Sequence, residues 1–501
     1  MRDTSYDIII VGSGVGGGTV ADYLSRAGSG LRIAIIESGP FRKKEHFNQR
    51  EIDMTALYYN RGAVLSENME IGVAAANTVG GSSAVYTGVS FRPPESVLNR
   101  WRREFGMEFL TAEYVNRSLD EIEEDLNVHE LPEREDNENN RLFRKGADAL
   151  GIPVKRLKIN TKGCLKQGFC NLGCTSGAKQ GTLEVQIPRV LKRGVTLIYN
   201  AVVRTIEENA VNLVVRKAPE NTIPNEIEEG GHRLYARYII LAAGTLNTPA
   251  ILLRSAKKLH VSNPNTGRYL TLHPAFNING IYTKTITNYL GFPKTWYIDA
   301  FSDSDGFYLE TSFYFPGVTA KNNPGYGSMH RDIMRCYSKM MSILILIHDE
   351  AEYGNRIATD RRGNTVIDYT VSDSVRKSMI RALQESTKIL FAAGCEKALI
   401  PGSDKTPVLP EDVPDIHLHI AEQYLNLTRT PLSSAHPQGG ARMGTTPKHA
   451  VTDISGKVFG TQSIYVSDAS LFPGSVKVNP YETVMLLAKW VAENVLEACL
   501  H

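Results

Sequence analysis

The stretch from Tyr6 to Glu37 does most to narrow what this chain can fold into. Tyr6-Asp7-Ile8-Ile9-Ile10-Val11 is a short apolar, β-branched run, the pattern of a buried parallel strand. It leads into Gly12-Ser13-Gly14-Val15-Gly16-Gly17, and Gly18 to Leu24 then carries helical spacing. In a dinucleotide site, Gly12 allows the tight turn, Gly14 lets the backbone approach a pyrophosphate, and Gly17 lets helix and strand pack closely. The helix N-terminus then faces the anion. A second strand, Arg32 to Ile36, ends at Glu37, twenty positions after Gly17, where a carboxylate can accept ribose hydroxyls. Strand, turn, helix, second strand and terminal acid together predict an α/β chain with a Rossmann-like nucleotide site.

The identity of the nucleotide is a separate question. Glu37 suits an unphosphorylated ribose and so disfavours NADP. FAD is favoured over a nicotinamide because a second strand and turn lies far downstream, at Ala236 to Thr248 (ARYIILAAGTLNT). There an apolar strand meets Ala242-Ala243-Gly244, whose small residues let the chain pass close to a nucleotide.

Two segments near the other end carry chemistry. Ser433 to Gly444 (SSAHPQGGARMG) offers His436 in a Pro- and Gly-bounded turn, and Val478 to Ala488 (VNPYETVMLLA) offers Asn479 immediately before Pro480 and an apolar, helix-like run. A titratable imidazole and an amide are what oxidising an alcohol needs from a protein. His436 takes the hydroxyl proton. Asn479 holds the oxygen as alkoxide character develops.

With these motifs in hand, the chain resembles the glucose–methanol–choline (GMC) family of FAD-dependent oxidoreductases over nearly its whole length. Asn77 to Ala84 (NTVGGSSA) resembles the family's flavin-contacting glycine–serine loop, which implicates Gly80, Gly81, Ser82 and Ser83. Gly267 to Pro274 (GRYLTLHP) is similar to a segment leading into the substrate domain. HPQGGARMG, Val466-Ser467-Asp468-Ala469-Ser470 and Asn479-Pro480 follow in the family's order. The resemblance implies further cofactor contacts from Val203, Ala243, Gly244, Asp468 and Pro480. Asp468 would lie near the flavin's ribityl or pyrophosphate, or equally only cap its turn. Other members place a second histidine where this chain has Asn479, so it resembles the histidine–asparagine branch. Many relatives also carry an asparagine where this chain has Tyr86, which leaves the lining of the flavin's reactive face, and its reactivity toward oxygen, open.

At 501 residues and 42% hydrophobic, the chain can bury a large core. The expected arrangement is a Rossmann-like FAD-binding domain (1–95, 160–275 and 430–501) intertwined with a substrate domain (96–159 and 276–429) built on an antiparallel sheet with helices. Residues 93–159 are charged and helical in pattern, with Phe109 to Leu126 the clearest case, and Val371 to Ala393 reads as another helix. From Ala275 onward apolar and polar residues alternate, and Tyr308 to Phe315 continues the pattern, predicting antiparallel strands with one face covered. A net charge of +2 gives no field for nucleic acid or anionic lipid. No apolar run approaches the roughly 20 residues of a membrane span. With no early signal-like segment, the expected location is the cytoplasm, although export with a partner subunit would look the same.

Cys164, Cys170 and Cys174 fall within eleven residues, interleaved with Gly163, Gly168 and Gly173. Thiols at that density suit an iron–sulfur cluster of three-cysteine type, or zinc with a remote fourth ligand. The segment resembles the cysteine loop of some sugar dehydrogenases in the family, where a cluster passes electrons from FAD to a partner. It equally resembles the loop of long-chain alcohol oxidases, ending in a GxKQGT-like stretch (Gly177 to Thr182). Reduced thiols in a glycine-rich loop, or a Cys170–Cys174 disulfide, are the plain alternatives.

The expected activity is FAD-dependent oxidation of an alcohol, plausibly a sugar or polyol, with electrons passed to a non-oxygen acceptor such as a protein or quinone. The alternatives are an oxidase producing hydrogen peroxide, a non-redox flavin-bound lyase using the same histidine base, and a nicotinamide-dependent dehydrogenase.

Overall fold

A computed structural model describes residues 5–27, 30–403 and 405–500. The first sheet grows from the N-terminal motif. Strand β1 (Ser5–Val11) runs into helix α1 (Val15–Arg26) and returns as β2 (Ile33–Ile36), parallel to β1. Three helices follow, α2 (Glu95–Phe105), α3 (Ala112–Asp125) and α4 (Glu138–Ala149), in the stretch whose pattern is helical. The chain then supplies β3 (Thr196–Ile198), β4 (Ala201–Glu207), β5 (Ala210–Val215) and β6 (Gly230–Leu241), followed by α5 (Gly244–Leu259). The sheet order is β3-β2-β1-β6-β5-β4. β6 lies parallel to β1 in register from Ser5 opposite Tyr235 to Val11 opposite Leu241.

The second sheet is built from β7 (Ala275–Ile281), β8 (Trp296–Ile298), β9 (Phe307–Thr311) and β10 (Met340–Ile347) in the order β7-β10-β9-β8. These pairings are antiparallel, and Ser433–Ser434 adds on at β7 through Ala275. Helix α6 (Asp373–Ala392) packs on it together with α4. Strand β11 (Ile464–Val466) then joins the first sheet beside β6, and helix α7 (Tyr481–Leu500) packs along α1.

One expectation is corrected here. β9 and β10 are buried along their whole length, and β7 along all but its last residue, so the second sheet is covered on both faces. One face meets α4 and α6. The polar residues of the alternating pattern, Asn277, Asn279, Tyr308 and Glu310, lie on the other face, where Tyr308 meets Asn479 and Asn279 meets Asn323. Among the described residues, no helix is long and apolar enough to cross a membrane.

Candidate active site

The nucleotide cradle forms where β1 turns into α1. Gly12 has φ of 109°, and a Cβ there would stand 2.2 Å from the Ala242 carbonyl oxygen at the end of β6. No residue but glycine fits that crossing. Gly14 is the N-cap of α1, with no side-chain cap and no acid in the first turn, and Gly17 sits one turn in. The first amides and the positive end of the helix are therefore left for an anion.

Glu37 is fully built into this cradle. One carboxylate oxygen accepts the Ser13 amide (3.0 Å) and hydroxyl (2.6 Å), and the other accepts the Gly39 amide (2.8 Å). Burial weakens its acidity and these donors oppose that shift. The Gly80 amide donates to the Ser13 hydroxyl oxygen at 3.0 Å, which ties the glycine–serine loop to the acid. In the loop's 3-10 turn (Gly81–Ala84), Ser82 accepts the Ala76 amide, while Ser83 donates to the Gly80 carbonyl and accepts the Thr182 amide. Val203 is buried on β4, two residues after Ala201, whose amide donates to the Glu37 carbonyl at 2.9 Å.

Asp468 completes the cradle from the far end of the chain. Its carboxylate takes four donors: the Gly244 amide (2.9 Å), the Thr248 hydroxyl (2.5 Å), and the Ser470 amide (2.8 Å) and hydroxyl (2.5 Å). Ala243 donates to the same Thr248 hydroxyl at 3.0 Å. The carboxylate thus caps its own turn and also clasps the start of α5. A flavin dinucleotide fits these residues: glycines at the crossing, an open helix N-terminus and an acid one strand over.

The histidine pocket lies on the catalytic face of the second sheet. Gln438 draws its two segments together, donating to the His436 carbonyl at 3.1 Å and accepting the Val476 amide at 2.9 Å. Tyr308 on β9 donates its hydroxyl to Asn479 Oδ1 at 2.5 Å. The amide oxygen is thereby occupied, and among the described residues the Nδ2 hydrogens have no acceptor. Burial holds the Tyr308 phenol well above its ordinary range, so it remains a donor. Pro480 follows and α7 begins at Tyr481.

His436 meets His273, with their Nδ1 atoms 3.1 Å apart and ring centres 5.1 Å apart. His273 lies 5.7 Å from the Tyr308 ring and 5.9 Å from His348. Burial, helped by Lys294, lowers His436 to about 3, so the imidazole stands neutral, with one ring nitrogen unprotonated. Lys294 pairs with Glu310, which shares a sheet face with Tyr308. Glu310 Oε1 and Asn277 Nδ2 are buried without partners.

His273, Tyr308 and His348 are the pocket residues that motif reading does not single out as catalytic. His273 falls inside the quoted GRYLTLHP segment. The other two sit in apolar strands or just after them, where a polar residue facing a site looks like any other interruption.

The cysteine loop gives the cluster expectation no support. Cys164, Cys170 and Cys174 are free thiols, and among the described residues no group of three His, Cys, Asp or Glu side chains is arranged to hold a metal ion. All three loop glycines have positive φ, and two of them also allow close packing: a Cβ at Gly173 would stand 2.5 Å from the Phe47 ring and one at Gly168 would stand 2.9 Å from the Phe313 ring. Burial pushes the Cys170 thiol up to about 12, so it is a protonated thiol here. The loop is anchored by Lys179, buried and donating to the carbonyls of Cys170 (2.9 Å), Ala84 (2.7 Å) and Tyr86 (3.0 Å). Tyr86 is in turn hydrogen-bonded by the Asn160 amide and packs edge-on against Tyr481.

A glycine cradle for a dinucleotide beside a histidine–amide pocket on an antiparallel sheet defines a two-sheet α/β oxidoreductase. The chain belongs to the GMC oxidoreductase family, whose N-terminal model matches residues 54–275 and whose C-terminal model matches residues 355–488. Members of this family bind FAD and act on alcohols. An uncharacterized GMC-type oxidoreductase of Mycobacterium tuberculosis is 30% identical over 98% of this chain and 76% of the relative. Long-chain-alcohol oxidase FAO4A of Arabidopsis thaliana is 28% identical over 98% of this chain and 68% of its own. Among solved structures, pyridoxine 4-oxidase from Mesorbium loti superposes with a TM-score of 0.73 at 19% identity, covering 98% of this chain and 99% of that one. Formate oxidase gives 0.74 at 15% identity over the full length of both chains.

Proposed function

We propose that this chain oxidises an alcohol to the carbonyl with FAD held in the Gly12–Gly17 cradle, His436 as base and Asn479 as oxygen holder. The observation that carries the reading is the pairing of a neutral imidazole with an amide whose oxygen is already occupied by Tyr308. An amide held that way has only its Nδ2 hydrogens to offer, and these suit a developing alkoxide. The imidazole takes the hydroxyl proton as the C–O bond gains double-bond character. When bound, FAD supplies the hydride acceptor. Gly12, Gly14 and Gly17 would hold its pyrophosphate, Glu37 its ribose, and the Gly80–Ser83 loop its flavin end.

Oxygen is the electron acceptor this reading favours. The similar proteins described above that have a named activity are oxidases. A sugar, polyol or long-chain substrate fits the chemistry equally, and the relatives favour the long-chain class.

Anaerobic mixing with a panel of alcohols tests the proposal. Bleaching of the flavin spectrum by a primary or secondary alcohol, with rapid recovery in air and peroxide formation, is the expected result. Bleaching that recovers only with a quinone or protein acceptor would replace oxygen as the acceptor. Substrate cleavage without bleaching would make the protein a lyase. Release of a nicotinamide rather than FAD on denaturation would overturn the cofactor.

A further inference from the structure

The histidine that the catalytic reading leaves unused is His273. Two Nδ1 atoms 3.1 Å apart require one proton between them, because two bare nitrogens, or two N–H groups, would repel. Two arrangements satisfy this. In one, His436 carries its proton on Nδ1 and Nε2 is bare; in the other, His436 carries it on Nε2 and has no free site for a substrate proton.

We propose that His273 is the positioning residue that selects the first arrangement: it accepts the Nδ1 proton of His436 and leaves Nε2 of His436 bare for the substrate hydroxyl. This rests on the alcohol-oxidation reading above. His273 is fully buried, whereas His436 keeps part of its surface open. The backbone shows what holds it in place. His273 has φ of 48°, a left-handed conformation in a residue other than glycine, and such strain collects at functional positions. Asp349 clamps it there, accepting the His273 amide at 3.0 Å and the Leu272 amide at 2.7 Å, and is itself held by the Tyr369 hydroxyl at 2.9 Å. The Ser434 hydroxyl donates to the Leu272 carbonyl and accepts the His436 amide at 3.2 Å. Both histidine backbones therefore hang from one small scaffold, which fixes their mutual approach.

The proton balance follows. The substrate hydroxyl proton moves to Nε2 of His436, and the carbinol hydride leaves with its electron pair for the FAD of the proposed reaction. The carbon–oxygen bond becomes the carbonyl. His436 is then an imidazolium whose Nδ1–H stays on His273, a charge-assisted bond stronger than the neutral one it replaces. The charged and titratable groups around the pair are Lys294 with Glu310, His348, Tyr308 and Asp349. Burial and its histidine neighbours hold His273 well below the ordinary imidazole range, so it stays neutral, with one bare nitrogen to accept the His436 proton.

His273→Asn and His273→Leu test this in the flavin-loaded protein. The asparagine Oδ1 stands where Nδ1 stood and can only accept, so His273→Asn should keep flavin reduction within roughly threefold of wild type. His273→Leu should slow it roughly ten- to a hundredfold with KM little changed, the scale of losing an orienting partner. Independently of turnover, 15N spectra assigned through loss of the His436 signals in His436→Gln should show the Nδ1–H form of His436 in the wild type. They should show a mixture of forms in His273→Leu. A wild-type rate in His273→Leu, an Asn variant as slow as the Leu variant while melting like wild type, or an Nε2–H form of His436 in the wild type would overturn the proposal. Should no alcohol bleach the wild-type flavin, the oxidation reading fails, and the 15N measurement still decides the tautomer.

Discussion

The nucleotide cradle and the histidine pocket meet at adjoining loops and yet are built on opposite principles. In the cradle every carboxylate oxygen is taken: Glu37 by Ser13 and Gly39, and Asp468 by Gly244, Thr248 and Ser470. In the pocket polar atoms are left open, among them His273 Nε2, Glu310 Oε1 and Asn277 Nδ2. A buried polar atom without a partner costs free energy, so it persists where function or strain keeps it. The cradle is built to keep one shape, while the pocket keeps valences in reserve.

That contrast can be broken at either end. The largest effect is expected at Gly12→Val, where the added side chain collides with the Ala242 carbonyl: the purified protein should carry no flavin absorbance. A flavin-loaded Gly12→Val protein would show that the crossing tolerates more than its geometry allows. Next in size, His436→Ala should lower the rate of anaerobic flavin reduction roughly 10²- to 10⁴-fold, the worth of a positioned base, with flavin content unchanged. Wild-type reduction across pH 6 to 9 would remove the base role. Asn479→Ala should slow reduction roughly ten- to a thousandfold with KM little altered, measured in the same stopped-flow experiment.

The smallest effect is on stability against pH. The folded protein holds His348 at about 4 and His436 at about 3, whereas the unfolded chain protonates histidine near 6.5. The unfolded state therefore binds more protons as the pH falls, and stability drops from pH 6.5 toward 4, by at most about 1.4 kcal/mol per pH unit for each histidine. Glu482 works in the other direction, since burial raises it from the ordinary carboxylate range to about 8, and its contribution is lost as pH rises through that interval. Replacing His348 by Asn should flatten the acid side of a melting-temperature profile, and Glu482→Gln should raise melting more at pH 8.5 than at pH 5. Parallel profiles for wild type and both variants would show that these groups are better solvated than their burial implies.

The two regions also differ in how far the chain's own pattern reveals them. β1, α1 and β2 follow from short-range spacing, because a strand, a glycine turn and a helix are decided within some thirty residues. His436 and Asn479 are legible through their motifs. His273, Tyr308 and His348 are not, since their roles come from a sheet register that aligns Tyr308 with Leu346 and Leu346 with Ala275. The left-handed backbone at His273 has no signature in residue type. Glycine spacing in the cysteine loop decides little by itself, because the positive φ it allows serves a wrapped metal and the approach of Phe47 to Gly173 alike. The one-sided burial expected of the second sheet fails because its polar residues face segments from distant parts of the chain, Asn479 and Asn323 among them, rather than water.

The clasp between Asp468 and the start of α5 has a consequence for the order in which the protein is made. Gly244 and Asp468 are separated by 224 positions, and β11, just before the acid, docks on a strand from the middle of the chain. A nascent chain can pair β1 with β2 early, but its cradle has no closing clasp until the ribosome has passed Ser470. Flavin loading is thus a late event in synthesis, and a chain cut short before residue 468 would display a nucleotide fingerprint with nothing to hold it shut.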